Sequence, residues 1–222
     1  MTIFFGGGNL MSKILITSGP TRQHIDPVRY ITNSSSGRMG SCLARACIKL
    51  GHDVTIVTGP VDIVYPPEAQ VVSVMSTDEM LQKALEYFPE YDGAIGAAAP
   101  CDYQPTEVAS RKITKTGDGI CLDLIETSDV IATLGAIKRS DQWVVGFALE
   151  TDDHHFRAIT KAQRKCCDLI VLNDVAAIDS KYNEIELLQP DGSCILKAAG
   201  NKCQVADEII AAIQSVLITP NS

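Results

Sequence analysis

Six short apolar runs, most of them rich in β-branched residues, are spaced along the chain. Strands that are buried on both faces of a sheet read as continuous hydrophobic runs, and neighbouring parallel strands need a long crossover between them. The runs therefore predict a mostly parallel sheet with both faces covered. They are KILITS at 13–18, DVTIVTG at 53–59, QVVSVMS at 70–76, DGAIGAAAP at 92–100, WVVGFALE at 143–150 and DLIVLND at 168–174.

Helical periodicity fills most of the gaps between these runs, at 39–50, 77–88, 128–137 and about 156–167. Further on, EIELLQPDGSCILKA at 184–198 alternates, turns at Pro190-Asp191-Gly192 and alternates again, which indicates a β-hairpin that extends the sheet in antiparallel fashion. A last apolar stripe at about 204–216 predicts a helix packed on the sheet. The order of elements predicts an α/β protein of the Rossmann-like, doubly wound class.

The predicted domain organisation is simple. Residues 1–12 precede the first strand pattern and are expected to form an N-terminal extension, and 13–222 are expected to form one domain. Residues 106–119 are polar and carry Arg111, Lys112 and Lys115, which predicts a mobile flap; a solvated charge run is the alternative interpretation.

Composition limits the classes of partner. With 222 residues, of which 45% are hydrophobic, the chain can bury a sizeable core. A formal net charge of -8 argues against nucleic acid and against an anionic membrane surface as the main partner. No apolar stretch reaches the roughly 18 residues of a membrane span, and the N-terminus lacks a secretory signal pattern, so a cytoplasmic location is expected.

The eight cysteines contain no pair at the usual zinc spacing and are spread over a large chain, so free thiols are expected. Most are interpreted as small buried hydrophobic residues. Cys101, directly after a strand, is the one candidate for a reactive thiol, and its role is left open.

A long polar loop joins the first strand to the first helix. Residues 19–36 are far more than a structural strand-to-helix turn needs, and small residues at 34–37 lead directly into the helix. Unpaired N–H groups at a helix N-terminus attract anions, so this loop predicts a phosphate site; a simple capped helix is the alternative. Interleaved apolar residues are expected to pin the loop to the core: Ile25, Val28, Tyr30 and Ile31.

The segment AAAPCDY at 97–103 also follows the end of a strand. Ligands of open α/β sheets collect beyond the carboxyl ends of the strands, so this segment and the 34–37 loop are expected to face one crevice. A flap that carries Lys112 and Lys115 could close over a triphosphate there and exclude water.

Taken in order, these motifs resemble the phosphopantothenoylcysteine synthetase family, the second half of the bacterial bifunctional coenzyme A biosynthetic flavoproteins. The resemblance runs from about residue 13 to the C-terminal part. Its motifs are TSGPTRQHIDPVRYITNSSSGRMG at 17–40, GPV at 59–61, AAAPCDYQP at 97–105, KITK at 112–115, GFALET at 146–151 and KCCDLIVLND at 165–174.

The resemblance implies ligation of 4'-phosphopantothenate to cysteine through an acyl-nucleotide. It implies CTP as co-substrate, with ATP as the alternative, and Mg²⁺, for which no ligands are assigned. It implies a homodimer in which the flap of one subunit reaches toward the neighbour's site. No flavin is expected, because only about a dozen residues precede the first strand. The chain is therefore interpreted as a stand-alone synthetase, with the decarboxylation step supplied by a separate protein.

Site residues follow from the same resemblance. Asn33 and Lys112 are the implied catalytic residues: the Asn33 amide would hold the acyl carbonyl, and Lys112 would neutralise the triphosphate. Asn33 and Arg38 are the implied substrate contacts. The implied nucleotide contacts are Gly19, Ser35, Ser36, Gly37, Ala98, Ala99, Asp102, Lys112, Lys115, Phe147, Lys161 and Lys165. Lys161 and Lys165 are four apart and are expected on one helix face.

The chain departs from the family pattern at Thr114, where lysine is usual, at Pro100 and Cys101, where small apolar residues are usual, and at Lys181, where aspartate is usual. Two other functions were weighed. A non-catalytic nucleotide-binding module is compatible with these departures. An NAD(P)-dependent oxidoreductase is poorly supported, because the first strand-to-helix turn lacks G-x-G-x-x-G and the second strand ends in Thr-Gly without an acidic residue.

Overall fold

A computed structural model describes residues 11–150, 154–174 and 183–219. Its centre is an eight-stranded sheet with the strand order β12-β11-β10-β9-β6-β1-β4-β5. The strands of this sheet are β1 (Lys13–Ser18), β4 (Asp53–Thr58), β5 (Gln70–Ser73), β6 (Gly93–Gly96), β9 (Trp143–Glu150), β10 (Leu169–Asp174), β11 (Asn183–Leu188) and β12 (Cys194–Gly200). Across the sheet, β5, β4, β1, β6, β9 and β10 pair in parallel in that order. β11 pairs antiparallel with both β10 and β12.

In the described part of the chain, five α-helices cover both faces of the sheet. They are α1 (Arg38–Lys49), α2 (Thr77–Tyr87), α3 (Val130–Ile137), α4 (His154–Arg164) and α5 (Lys202–Ile213), the last followed by a π-helical turn at Gln214–Ile218. Side chains of α1 and α5 share one apolar core with the sheet, and side chains of α2, α3 and α4 share the other. The predicted doubly wound α/β fold and its C-terminal hairpin are confirmed.

Two smaller ribbons lie outside the main sheet. β2 (Arg22–His24) pairs with β3 (Tyr30–Thr32) inside the long loop, and β7 (Tyr103–Pro105) pairs with β8 (Leu124–Glu126) at the base of the flap segment 106–119. Helix α4 ends at Arg164, one residue before Lys165, but the N–H of Lys165 still donates to the carbonyl of Lys161 at 3.0 Å, so the two lysines lie one helical turn apart as expected. Cys166 has a φ of 50°, a left-handed conformation that commonly ends helices.

The long loop is held by polar groups rather than by its apolar residues. Thr21, Gln23 and Asp26 are buried, whereas Val28 and Tyr30 are 58% and 39% exposed. The expectation that the apolar residues pin this loop was therefore wrong for Val28 and Tyr30. Thr21 and Asp26 can be buried because they have hydrogen-bond partners: Oγ1 of Thr21 bonds Thr77 and the N–H of Cys101, and Asp26 accepts from Val28, Arg29 and Ile113.

The expectation of free thiols was wrong for two of the eight cysteines. Cys42 of α1 and Cys203 of α5 form a disulfide, with a Cα–Cα distance of 4.8 Å. Their sequence separation is 161 residues. The spacing of cysteines in the sequence does not identify such a pair. The two cysteines meet because α1 and α5 pack in one core.

Gly40 allows the first turn of α1 to approach the end of β1. A Cβ atom at this position would lie 2.1 Å from Oγ and 2.6 Å from Cβ of Ser18. We expect Gly40→Ala to lower the free energy of unfolding by about 1–3 kcal/mol through overpacking. Gly119→Ala is the matched control, because no atom lies within 4 Å of the added methyl group. Denaturant unfolding of both variants measures this, and equal stability would contradict the packing argument.

Candidate active site

A crevice runs along the carboxyl ends of β1, β6 and β9. It consists of two adjoining cavities, which we name by the nearest helix: the α3 half, of about 480 Å³, and the α1 half, of about 450 Å³. Ligand sites of open α/β sheets are expected at this edge. The two halves share part of their lining: Ala98, Pro100, Asp102, Phe147 and Lys165.

The α1 half contains the N-terminus of α1. Gly37 precedes this helix with a φ of 71°, and no side chain caps the helix. In contrast, side chains of Ser76, Asp129 and Asn201 accept N–H groups at the starts of α2, α3 and α5. The first N–H groups of α1 are therefore not capped by a side chain, which is compatible with the predicted phosphate site.

Asn33 lies where the two halves meet. Its Nδ2 donates a hydrogen bond of 2.8 Å to the carbonyl of Pro100, a residue that lines both cavities. The Asn33 side chain is exposed in the α1 half. A carboxamide has a second N–H, so the amide can donate to a ligand while it is held by Pro100.

Cys101 has a structural environment rather than a reactive one. It is 2% exposed, its backbone N–H donates to Oγ1 of Thr21, and its Sγ lies 3.4 Å from the carbonyl oxygens of Thr21 and Ile31. Burial raises the pKa of the Cys101 thiol. A reactive thiolate needs a lowered pKa and access to solvent, so these observations argue against a nucleophilic role.

A partly exposed ion pair joins the turn after α4 to the start of α3. Nζ of Lys165 lies 2.8 Å from Oδ2 of Asp129, whose Oδ1 accepts the N–H of Ala132 at 3.0 Å. Burial alone would raise the pKa of Asp129, but the hydrogen bonds from Lys165 and Ala132 outweigh it, so the pKa lies below the ordinary 3.8. The pair fixes Lys165 at the junction of the two halves.

The flap segment is tied to the long loop at defined points. The N–H of Ala109 donates to the carbonyl of Ile25, and the N–H of Ile113 donates to Oδ2 of Asp26. Nη1 and Nη2 of Arg29 each donate to the carbonyl of Ile113 at 3.1 Å, and Nη1 pairs with Asp26 at 2.7 Å. The backbone next to Lys112 is therefore anchored by a buried carboxylate.

Asp26 gives this anchor a pH dependence. Burial raises the pKa of Asp26, but N–H donors from Val28, Ile113 and Arg29 and the Arg29 charge together hold it below the ordinary 3.8. A lowered folded-state pKa means that the stabilisation is present above pH 3.8 and is lost as pH falls through the folded-state pKa. We expect Asp26→Asn to be less stable than the wild type at pH 7, with the difference shrinking toward pH 3.

Amide hydrogen exchange at Ile113 and thermal unfolding, both across this pH range, measure the effect. Asp118→Asn is the control, since Asp118 is exposed within the flap. A stability difference for Asp26→Asn that does not change with pH would contradict the electrostatic anchor.

The crevice brings together most of the residues that the sequence singled out. Those that line it are Asn33, Ser35, Ser36, Gly37, Arg38, Ala98, Ala99, Asp102, Phe147, Lys161 and Lys165. Gly19 lies behind the lining: its carbonyl accepts the N–H of Ala99, and its φ of +70° with Val61 close by leaves no room for a side chain. Lys112 and Lys115 are exposed on the flap and line neither half. Lys181 lies outside the described residues.

Sequence reasoning missed two parts of the crevice. Residues 126–132, which include the start of α3, line the α3 half, and Asn173 and Asn183 line the far end of the α1 half. The available signal for residues 126–132 was Asp129, because an aspartate directly before an apolar run is typical of a helix N-cap. The available signal for Asn173 was the motif KCCDLIVLND, in which it lies, and Asn183 follows Lys181 by two residues in a segment that departs from the family pattern.

Within 11–150, 154–174 and 183–219, none of the helices has the length and apolar character needed to span a membrane. In the same part of the chain, no group of three or more His, Cys, Asp or Glu side chains is arranged to hold a metal ion.

The fold and the crevice define a Rossmann-like α/β protein with an uncapped helix N-terminus in its candidate site. The chain belongs to the family described as the DNA/pantothenate metabolism flavoprotein C-terminal domain, whose profile matches residues 10–217. This agrees with the family that the sequence motifs resemble.

Individual relatives agree with this membership. The chain is 38% identical over 221 residues to the coenzyme A biosynthesis bifunctional protein CoaBC of Vibrio vulnificus, covering 96% of this chain and 55% of that protein. It is 40% identical over 211 residues to the protein of the same name from Haemophilus influenzae, covering 92% and 53%. A solved structure of the C-terminal domain of a CoaBC protein superposes with a TM-score of 0.81 at 34% identity, covering 95% of this chain and 98% of that one. The chain thus spans about half the length of the curated relatives it matches.

Proposed function

We propose that this protein is a phosphopantothenate–cysteine ligase, which joins 4'-phosphopantothenate to cysteine through an acyl-nucleotide. The observation that carries the proposal is the two-part crevice with Asn33 at the junction, because such a ligase must hold two large anionic substrates so that a carboxylate meets an α-phosphate. Family membership supports it, since the relatives are named for coenzyme A biosynthesis.

The two halves suit different parts of the substrates. The α3 half is bordered by Tyr103, Phe147 and the peptide groups at the start of α3, which favour a base and ribose. The α1 half has the uncapped helix N-terminus with Ser35, Ser36 and Gly37, which favours phosphate groups of the nucleotide. Arg38 lines the same half, where its cation would contact the acyl substrate.

In the first step, a carboxylate oxygen of phosphopantothenate attacks the α-phosphorus of the nucleoside triphosphate. The bond from the α-phosphorus to the bridging oxygen breaks, and pyrophosphate leaves with the electron pair. Lys165, held by Asp129, lies at the junction of the halves, where it would neutralise phosphate charge. Positioning and charge neutralisation supply most of the rate enhancement in such transfers.

In the second step, the cysteine amine attacks the acyl carbon of the intermediate. Negative charge develops on the acyl oxygen, the nucleoside monophosphate leaves, and the amine loses its proton as the amide forms. The free N–H of the Asn33 carboxamide is the group we assign to that oxygen, because Pro100 fixes the other side of the amide. A pre-oriented donor of this kind stabilises the transition state without reorganisation.

Mg²⁺ belongs to the proposal as part of the triphosphate complex. Such ions are commonly held by substrate phosphates together with one or two carboxylates, so a protein cage is not required. Asp102 is exposed and lines both halves, which fits a single carboxylate contact of this kind. The ion would supply charge neutralisation on the departing pyrophosphate.

The proposal includes a homodimer. Lys112 and Lys115 line neither half of the crevice within one chain, so a catalytic role for the flap requires either closure or a neighbouring subunit. The ribbon that carries the flap exposes several apolar side chains, Val108, Ile120, Leu124 and Ile125 among them, as an interface would. A cytoplasmic location is proposed as well, because the nucleoside triphosphates that the reaction consumes are found there.

Mass spectrometry of the product tests the proposal. The purified protein is incubated with 4'-phosphopantothenate, cysteine, Mg²⁺ and either CTP or ATP. We expect phosphopantothenoylcysteine and the nucleoside monophosphate in equal amounts, with CTP preferred and no flavin required. Formation of no amide with either nucleotide would refute the ligase and favour a non-catalytic binding module.

A further inference from the structure

A third cavity, of about 460 Å³, lies outside the crevice, between α1, the start of α5 and the loop that follows β4. We name it the disulfide cavity, because the bonded pair Cys42 and Cys203 belongs to its lining. Three cations line it as well: Arg38 and Arg45 from α1, and Lys202 from α5. Both cysteines are only partly buried, so their sulfur atoms lie at the wall of a solvent-accessible cavity.

The disulfide cavity is a positively charged site in a chain of formal net charge -8. Among the described residues, no acidic side chain lines it. Asp62 of the neighbouring loop is exposed and does not line the cavity. Asp207, one turn beyond Cys203 on α5, pairs with Lys49 of α1 at 3.3 Å. A cleft lined by one sign of charge concentrates ligands of the opposite sign, so the cavity favours a small anion.

A disulfide in the proposed cytoplasmic location calls for an explanation. Disulfides are rare in this reducing compartment, and those that form there are usually transient and take part in thiol chemistry. The disulfide is not the only link between its two helices, since Leu43 of α1 and Val205 and Ile209 of α5 are buried in one shared core. Its place in the wall of a cavity therefore favours a reacting group over a purely structural link.

We propose that the Cys42–Cys203 disulfide and its cavity form an exchange site for a small thiol on an anionic frame. The thiolate of this ligand attacks Sγ of Cys42. The disulfide bond breaks, its electron pair goes to Sγ of Cys203, and a mixed disulfide joins Cys42 to the ligand, so no further oxidant or reductant is needed. Cys203 is the better leaving group, because it lies in the first turn of α5 next to Lys202, and both features stabilise a thiolate.

The exchange site adjoins the candidate active site. Arg38 and Lys202 line both the disulfide cavity and the α1 half of the crevice, so an anionic group attached to Cys42 would lie next to that half. Two sources share the required chemistry: a phosphorylated thiol such as the product of the proposed ligase, and a peptide thiol that carries carboxylates. Only the first source rests on the proposed function, and exchange at Cys42 does not.

Mass spectrometry of the intact protein, followed by peptide mapping, tests the proposal without an activity assay. Protein purified without reductant is treated with three thiols of one carbon frame: anionic mercaptoethanesulfonate, neutral mercaptoethanol and cationic cysteamine. Each rate is divided by the concentration of thiolate. We expect the anionic thiol to form the mixed disulfide at Cys42 about tenfold faster than the cationic one at low salt. The preference should shrink in about 1 M salt, because exposed charges are screened there.

Arg45→Gln should lower this preference on the order of threefold, because it removes a cation that lines the disulfide cavity and neither half of the crevice. Arg157→Gln is the matched control, since it removes an exposed cation on α4 and should leave the preference unchanged. Glutathione and phosphopantothenoylcysteine, compared in the same assay, identify the source by the faster exchange.

Three results would overturn the proposal. They are equal thiolate-corrected rates for the three thiols, attachment at Cys203 in place of Cys42, and two free thiols at these positions in the purified protein. None of them bears on the ligase, because no step of the assay depends on turnover. Failure of the ligase assay would in turn leave exchange at Cys42 standing.

Discussion

Asn33→Ala is expected to release pyrophosphate at close to the wild-type rate when phosphopantothenate and nucleotide are present, yet to form phosphopantothenoylcysteine about 10²–10³-fold more slowly. The amide is assigned to the acyl oxygen, where charge develops only during attack by cysteine. The Asn33 side chain donates a hydrogen bond to Pro100 at an exposed site, so its loss should cost the fold little free energy. Parallel assays of pyrophosphate and amide product separate the two steps.

Thr32→Val is the matched control for damage to the loop. Oγ1 of Thr32 donates a hydrogen bond of 2.8 Å to the carbonyl of Thr21. This variant therefore also removes a hydrogen bond of the loop, at the residue next to Asn33. Both steps should stay near wild type in the control. Unimpaired amide formation by Asn33→Ala would remove Asn33 from the mechanism, and equal loss in both variants would assign its effect to loop structure.

Lys112→Gln is expected to act earlier, lowering pyrophosphate release itself by about 10³-fold, the scale of a cation that neutralises charge in phosphoryl transfer. The neighbouring backbone at Ile113 is anchored to Asp26 and Arg29, so the lysine is presented from a fixed point and not from a free loop. Arg111→Gln is the control, because it removes an exposed flap cation one residue away. Normal pyrophosphate release in Lys112→Gln would refute its role.

Mixing the two inactive variants tests which subunit the flap serves. If the flap completes a neighbour's crevice, a mixed dimer of Asn33→Ala and Lys112→Gln contains one site with both residues intact. Mixed and re-equilibrated subunits should then regain activity toward the statistical share of such sites. Mixtures that stay as inactive as either parent would show that the flap acts within its own chain.

The fold was predictable because its elements are specified locally. KILITS, WVVGFALE and DLIVLND became β1, β9 and β10 within a residue at each end, since continuous β-branched runs have few alternatives to a buried parallel strand. The hairpin at Pro190-Asp191-Gly192 was equally explicit. Helix ends were less accurate: α4 stops at Arg164 because Cys166 adopts a left-handed conformation, which no residue type at that position announced.

The site was predictable where motif residues are consecutive and failed where distant residues meet. The 34–37 loop and the segment after β6 converge because parallel strands end at one edge. The Cys42–Cys203 disulfide and the Asp26 anchor at Ile113 each join segments that only the folded chain brings together. Val28 and Tyr30 of the long loop misled, because the polar groups of Thr21 and Asp26 are buried there with hydrogen-bond partners while these two side chains are exposed.

The central claim is that an acyl-nucleotide forms before cysteine reacts. Pyrophosphate release by the wild-type protein with CTP and Mg²⁺, in the absence of cysteine, measures this most directly. We predict release that requires phosphopantothenate and is accompanied by an acyl-cytidylate detectable by mass spectrometry. Release that requires cysteine, or release of orthophosphate in place of pyrophosphate, would contradict the account.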